Sequence, residues 1–230
     1  MYTDGYEQFL SNEFLTHLPE HLKTDKVNDM LRDIFKQYEY RPYHNLAHLY
    51  QMVRCFTDSR VQDWLRGVMK GDWYYLEFIC FVLFHDVHYL PEERFISSEA
   101  LSARTFFDMT RKIGLHDLEG FDPYYIADLI KASAHFPSAD YGFSLSYQLF
   151  LDIDMAILGA DEWRYSNYMR GIAREYSHLT FQDWMTGRSK FLTRLLEEGI
   201  FYTQIMETLY LEASVKNMTK ELECLAVRQV

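Results

Sequence analysis

Proline and glycine are scarce, 5 and 10 in a chain of 230 residues. That excludes collagen-like, low-complexity and loop-dominated folds. Cysteine is scarcer still. Cys55, Cys80 and Cys224 form no CxxC or zinc-ribbon spacing, and an odd number makes a poor disulfide framework. A reducing, cytoplasmic compartment is expected. Positive charge is in deficit, with 23 Lys plus Arg against 34 Asp plus Glu, a net −11 with histidine neutral. This argues against broad electrostatic binding of nucleic acid or of anionic membrane. A small anionic substrate stays open, because a bound metal reverses the field locally. Long apolar runs are missing as well. The most apolar segment, Trp73 to Phe84, is broken by Glu77 and ends at His85-Asp86, too short to span a bilayer. The opening MYTDGYEQFL has no basic stretch followed by an apolar one, so no secretory signal is expected and the chain reads as soluble.

What the chain does have is core-forming material. Hydrophobic residues make up 48% and aromatics 17%, so the core should be bulky. At this length about 70% of the unfolded surface can be buried without a disulfide or metal staple. Apolar residues recur at helical spacing almost throughout, and alternating β-branched runs are rare. Thr24 is placed to cap a helix through Val27, Leu31, Ile34 and Phe35. After Arg41-Pro42-Tyr43 a helix is expected from about Asn45 to Phe56, and another from beyond Gly71-Asp72 to Asp86. Pro91 and Glu92-Glu93 mark a loop, then a helix holds Ala100, Leu101, Ala103, Phe106 and Phe107. Asp122-Pro123 starts a helix reaching about His135. Another runs from about Ser144 to Gly159, taken as a C-cap. Two or three more fill Glu162 to Val230. The expectation is one all-α domain over 1–230, a helical bundle whose chemistry lies within about 24–178. The C-terminal helices of 180–230 are expected to pack on it.

Two of the nine histidines' settings stand out. In Tyr43-His44-Asn45-Leu46-Ala47-His48 two imidazoles lie four apart, which on a helix would stack them on one face towards a metal or an anion. Alone, such a pair on a surface helix means nothing. In Phe84-His85-Asp86 an imidazole and a carboxylate end a helix that is apolar on every side, a costly arrangement unless they are paired or metal-bound. A third feature is Leu151-Asp152-Ile153-Asp154-Met155. On a helix Asp154 shares a face with Phe150, Leu151, Ile157 and Leu158, which predicts that it is the more buried of the two carboxylates. Three helices would then each send a metal-liking group inward. Such a mixed nitrogen and oxygen set suits Mn, Fe, Co, Ni or Zn, with Mg less natural.

The order His, His-Asp, Asp on successive helices resembles the HD superfamily of metal-dependent phosphohydrolases. YHNLAH is similar to the YHNxxH motif of cyclic-nucleotide phosphodiesterases, and FHDVHY resembles their HDxxH motif. The likeness is greater to a group of small bacterial HD proteins. It runs through SEALSA, the Ala-Ser-Ala-His stretch, DIDMAILGA and AREY to Lys216-Asn217, about four-fifths of the chain by eye. The resemblance implies His48, His85, Asp86 and Asp154 as metal ligands and His44 as the acid that protonates the leaving oxygen. It implies that Glu99 touches metal-bound water and that His135 and Arg174 serve phosphate binding or support the site. The sequence departs from the phosphodiesterase pattern at Tyr89, where those enzymes have their extra histidine, and at Ser98, where Asn is expected. No HDxxGK or GYP follows Asp86, so the ppGpp and cyclic-di-GMP subfamilies are not indicated.

The function expected from these residues is hydrolysis of a small phosphoester, a nucleotide or another phosphorylated metabolite, by metal-activated hydroxide attacking phosphorus. His44 would supply a proton near neutral pH. Two other classes compete. One is a di-iron oxygenase, for which His88 or His135 would complete a second site. The other is a binding module that holds metal or nucleotide without turnover. Lys131 reads as a solvated helix residue, and His17, His21, His116 and His178 lack a partner motif.

Overall fold

The computed structural model describes residues 3–68, 73–92, 97–135 and 144–227, with the side chains of all but residues 3, 4, 135 and 146. Among them are eleven α-helices and no strand, so the all-α expectation holds. The first five are α1 (Thr3–His17), α2 (Asp25–Gln37), α3 (Leu46–Phe56), α4 (Ser59–Val68) and α5 (Tyr74–Phe84). They are followed by α6 (Ser98–Lys112), α7 (Pro123–Ala132) and α8 (Leu145–Met155). The last three are α9 (Glu162–Glu175), α10 (Phe181–Glu198) and α11 (Gln204–Val227). None of the described helices is long and apolar enough to cross a membrane.

Helix α5 is the axis of the bundle. Every residue from Leu76 to Phe84 is buried, as an all-round apolar helix must be. Helices α1, α3, α6, α7 and α8 pack around it. Its Phe78 stacks on Phe56 of α3, ring centroids 3.9 Å apart, and meets the edge of Phe150 from α8 at 5.0 Å. Burying each such ring is worth about 1.5–3 kcal/mol. Glu77 is the polar exception in this helix. It is hydrogen-bonded to the Tyr147 side chain of α8.

Two helices were not expected from the sequence. Both α1 and α4 bury narrow faces, Leu10 and Phe14 in one and Val61 and Leu65 in the other. The Gly71-Asp72 signal and Glu93 fall outside the described residues. Thr24 does precede α2, but its side chain makes no capping hydrogen bond, whereas Asp122 accepts from the backbone N–H groups of Tyr124 and Tyr125. Gly159 is not a left-handed C-cap. It sits in a 3-10 turn after α8, where a Cβ would lie 2.7 Å from the Tyr210 carbonyl and 2.9 Å from Ser214 Oγ of α11. Glycine is needed there because α11 passes so close. Asn217 locks the same approach by donating to the carbonyls of Leu158 (2.9 Å) and Ala160 (2.8 Å).

Candidate metal centre

The segment leading into α3 is shaped by α9. Gly171 faces Tyr43, and a Cβ on it would come within 2.8 Å of Tyr43 Cβ and 3.1 Å of the Pro42 carbonyl. Only a bare backbone lets the chain pass. Asn45 then caps α3, its Oδ1 accepting from Ala47 N at 2.9 Å while Nδ2 donates to the Arg41 carbonyl at 3.0 Å. His44 therefore lies before the helix, not on it, and the expected stacking of His44 and His48 on one helical face is corrected. The two rings still adjoin, with centroids 5.6 Å apart and planes at 79°.

Glu175, at the end of α9, organises this loop. Its Oε1 accepts from the backbone N–H groups of Tyr43 and His44, both at 2.8 Å, and its Oε2 lies 2.7 Å from His44 Nδ1. The other ring nitrogen of His44, Nε2, is 3.9 Å from Asp86 Oδ2. Tyr89 stacks on the ring at 4.1 Å. The neighbouring Arg174, proposed from sequence for phosphate binding, is exposed and does not line the chamber at the cluster. The residue one position on was missed. Its only signal was a carboxylate beside Tyr176 in AREY, and nothing in sequence pairs residue 175 with residue 44.

His85 and Asp86 sit in the turn that ends α5, where helix carbonyls lack partners. Tyr38 OH donates to the Leu83 carbonyl at 3.0 Å, and Arg41 donates to the carbonyls of Asp86 and Val87, the latter at 2.9 Å. A cation at a helix C-terminus is favourable, and here it fixes the turn. His85 Nδ1 donates to the Val82 carbonyl at 3.0 Å, which aims Nε2 inward.

There Nε2 of His85 and Nε2 of His48 stand 3.4 Å apart. Asp154 Oδ1 is 3.1 Å from His48 Nε2 and 3.7 Å from His85 Nε2. Asp86 Oδ2 is 3.0 Å from His85 Nε2 and 3.9 Å from His48 Nε2. Ligand atoms at about 2.0–2.2 Å from a tetrahedral or octahedral ion lie about 2.8–3.6 Å from each other. His48, His85 and Asp154 can therefore hold a metal ion, with Asp86 adjoining. No other such group of three is found among the described residues.

The face argument for Asp154 is overturned, although Asp154 does reach the cluster. Asp152 is the fully buried carboxylate, while the Asp154 side chain is 27% exposed. Asp152 turns away from the cluster towards the loop before α11. It accepts from Tyr202 N (2.8 Å), Thr203 N (2.7 Å) and Thr203 Oγ1 (2.6 Å). Burial pushes its carboxyl up to about 7 against those three bonds. A periodicity reading ranks faces by apolar neighbours on the same helix, and it could not see the loop of 200–203 covering the other face.

Charge in the cluster is finely opposed. Burial would raise the Asp86 carboxyl, but the imidazoles of His85 and His44 hold it well below the carboxylate range. Asp154 is likewise held low, by the His48 hydrogen bond and the His85 charge, against its burial. Burial would lower His85, yet the Asp86 carboxylate lifts it to about 9. His44 is raised for the same reason, by Asp86 and by Glu175. Without a cation, protons on imidazole are what balance these carboxylates, so a divalent ion would displace a proton as it binds.

One side of the cluster opens into a chamber of about 420 Å³. His44, Asp86, Asp154 and Glu99 line it, with Glu99 in the first turn of α6 accepting from Ser97 Oγ at 2.7 Å. Arg188 of α10 also lines it, so one of the C-terminal helices reaches the chamber. His88 turns away, its Nε2 2.8 Å from Thr105 Oγ1. The His135 side chain lies outside the described residues. Lys131 pairs with Asp128 at 2.9 Å on the surface. On the far side of His48 and Asp154 a larger cavity, about 660 Å³, carries Arg54 and Arg164. Compared with protein-family models, curated proteins and solved structures, the chain has no significant match in any of the three.

Proposed function

We propose that this protein is a metal-dependent phosphohydrolase acting on a small phosphoester, a nucleotide or another phosphorylated metabolite. The observation that carries this reading is the convergence of His48, His85 and Asp154 beside a paired imidazole, His44–Glu175, with Asp154 and His44 on the wall of one chamber. The motif likeness to the HD superfamily points the same way. A divalent transition metal, Mn, Fe, Co, Ni or Zn, would supply Lewis-acid polarisation of a phosphoryl oxygen and a water acidified towards neutrality.

The chain's own residues do the rest. His48, His85 and Asp154 would hold the ion, with Asp86 completing the set through Oδ2. Glu175 fixes the His44 ring by its Nδ1 and leaves Nε2 facing the chamber. Because Asp86 and Glu175 raise His44 against its burial, the ring holds a proton more tightly than a free imidazole does and could give it to a departing alkoxide. Tyr89, stacked on that ring, shields it from water. Glu99 stands on the chamber wall as an acceptor for a polarised water.

The His88 orientation disfavours the di-iron reading, since its Nε2 is engaged by Thr105. The test is elemental analysis of protein purified without chelator, followed by a phosphoester screen with the ion found. Near one transition-metal ion per chain and phosphate release lost in Asp86→Ala support the proposal. Two irons per chain, or full metal content with no release from any phosphoester, would reject it.

A further inference from the structure

The wall of the chamber away from the cluster is aromatic. Tyr89, Tyr176, Leu179, Trp184 and Phe191 line it, each half-buried by the protein alone. Tyr176 lies against Trp184, with ring centroids 5.5 Å apart and planes at 33°. The Tyr89 and Tyr176 side chains are hydrogen-bonded to each other, which joins this wall to the ring stacked on His44. The one guanidinium among the described lining residues, Arg188, lies 5.3 Å from the centre of the Phe191 ring. Both oxygens of Glu221 already engage it, at 2.8 and 3.1 Å. This end of the chamber therefore offers apolar area and a neutralised ion pair, while the other end carries Asp86, Asp154 and Glu99.

That polarity fits one kind of occupant. A second anionic group would meet no unpaired cation among the described lining residues, whereas a flat apolar group would cover ring faces now half open to solvent. We infer that the turn after α9 and helix α10 form a specificity wall that binds an aromatic ring in the organic part of the phosphoester. This rests on the proposed phosphohydrolase reading for the placement of the phosphate at the cluster. It makes the C-terminal helices part of substrate selection.

The test separates binding from turnover. Ethylphosphonate and 2-phenylethylphosphonate share a head group that cannot be hydrolysed and differ by one ring. Their affinities for the protein in the presence of Mn are measured by calorimetry. The expected result is tighter binding of the phenyl compound by about tenfold or more, the scale of burying one ring. That advantage should collapse in Trp184→Ala and persist in Trp184→Phe, which keeps an aromatic face. Equal affinity of the two phosphonates, binding of neither, or a ring advantage unchanged in Trp184→Ala overturns the inference. Hydrolysis of 2-phenylethyl phosphate is followed in parallel. Ring-selective phosphonate binding with no phosphate release from this or any other phosphoester screened rejects the hydrolase reading and leaves the wall assigned. Hydrolysis without ring selectivity does the reverse.

Discussion

Oε2 of Glu175 lies 2.7 Å from Nδ1 of His44, and Oε1 of the same carboxylate accepts from the backbone N–H groups of Tyr43 and His44. One side chain thus sets the position of the loop, the orientation of the ring and part of its affinity for a proton. The arrangement is that of a base orienting an acid, with the reactive nitrogen left free.

A first prediction follows for Glu175→Gln. The amide keeps the shape but removes the charge that helps raise His44. If protonated His44 is the acid, activity falls as pH rises through its pKa, and the variant should fall at lower pH than the wild type. Turnover at pH 7.5 should drop about 10- to 100-fold, with metal content unchanged. A pH–rate profile with elemental analysis reads both. An unshifted profile would remove His44 from the acid role.

The two aspartates of α8 should separate cleanly. Asp154→Ala deletes a cluster oxygen and should lower metal content together with activity. Asp152→Ala should retain metal but cost about 2–4 kcal/mol of stability, because three donors from Tyr202 and Thr203 lose their acceptor in a buried place. Urea denaturation and metal analysis of both variants check this. Equal loss of metal from the two would show that α8 acts as a unit.

Helix class, the central α5 and the cluster-bearing strings were legible in sequence because they depend on local periodicity and on adjacent residues. His85 and Asp86 are next to each other, and an apolar helix ending in charge is visible without a partner. Glu175, Arg41 and Arg188 were not legible as site residues. Each acts across a gap of chain, 131 residues from Glu175 to His44 and 45 from Arg41 to the Asp86 carbonyl. Periodicity holds no information on such pairings. Gly159 and Gly171 show the same limit, since both are small for the sake of a helix or loop distant in sequence.

Arg188 and Glu221 form a buried ion pair, their side chains 5% and 2% exposed. Tyr165 OH donates to Glu221 at 2.6 Å, and Arg188 Nη1 donates to Tyr168 OH at 2.9 Å. Burying both charges is costly, and leaving one of them alone is costlier. Arg188→Met should therefore destabilise by about 3–5 kcal/mol, while Arg188→Met with Glu221→Gln should lose less than the single variant. Chemical denaturation of the four members of the cycle measures the coupling. Additive losses would mean that the pair contributes no mutual stabilisation.

The last prediction concerns Glu77, far from the candidate metal centre. Burial in α5 raises its carboxyl, and the Tyr147 hydrogen bond pulls it back only in part. A raised folded-state pKa means that the folded protein binds this proton more tightly than the unfolded chain. Stability from the group is then fully present below the unfolded value, about 4.3, and is lost as pH rises through the folded one. Glu77→Gln keeps an acceptor for the Tyr147 hydroxyl and cannot ionise. The variant should match the wild type near pH 4 and exceed it at pH 8. Urea midpoints for both proteins at the two pH values decide the matter. A constant difference between them would mean that Glu77 titrates alike in the folded and unfolded chain, so that its burial in the central helix carries no electrostatic cost.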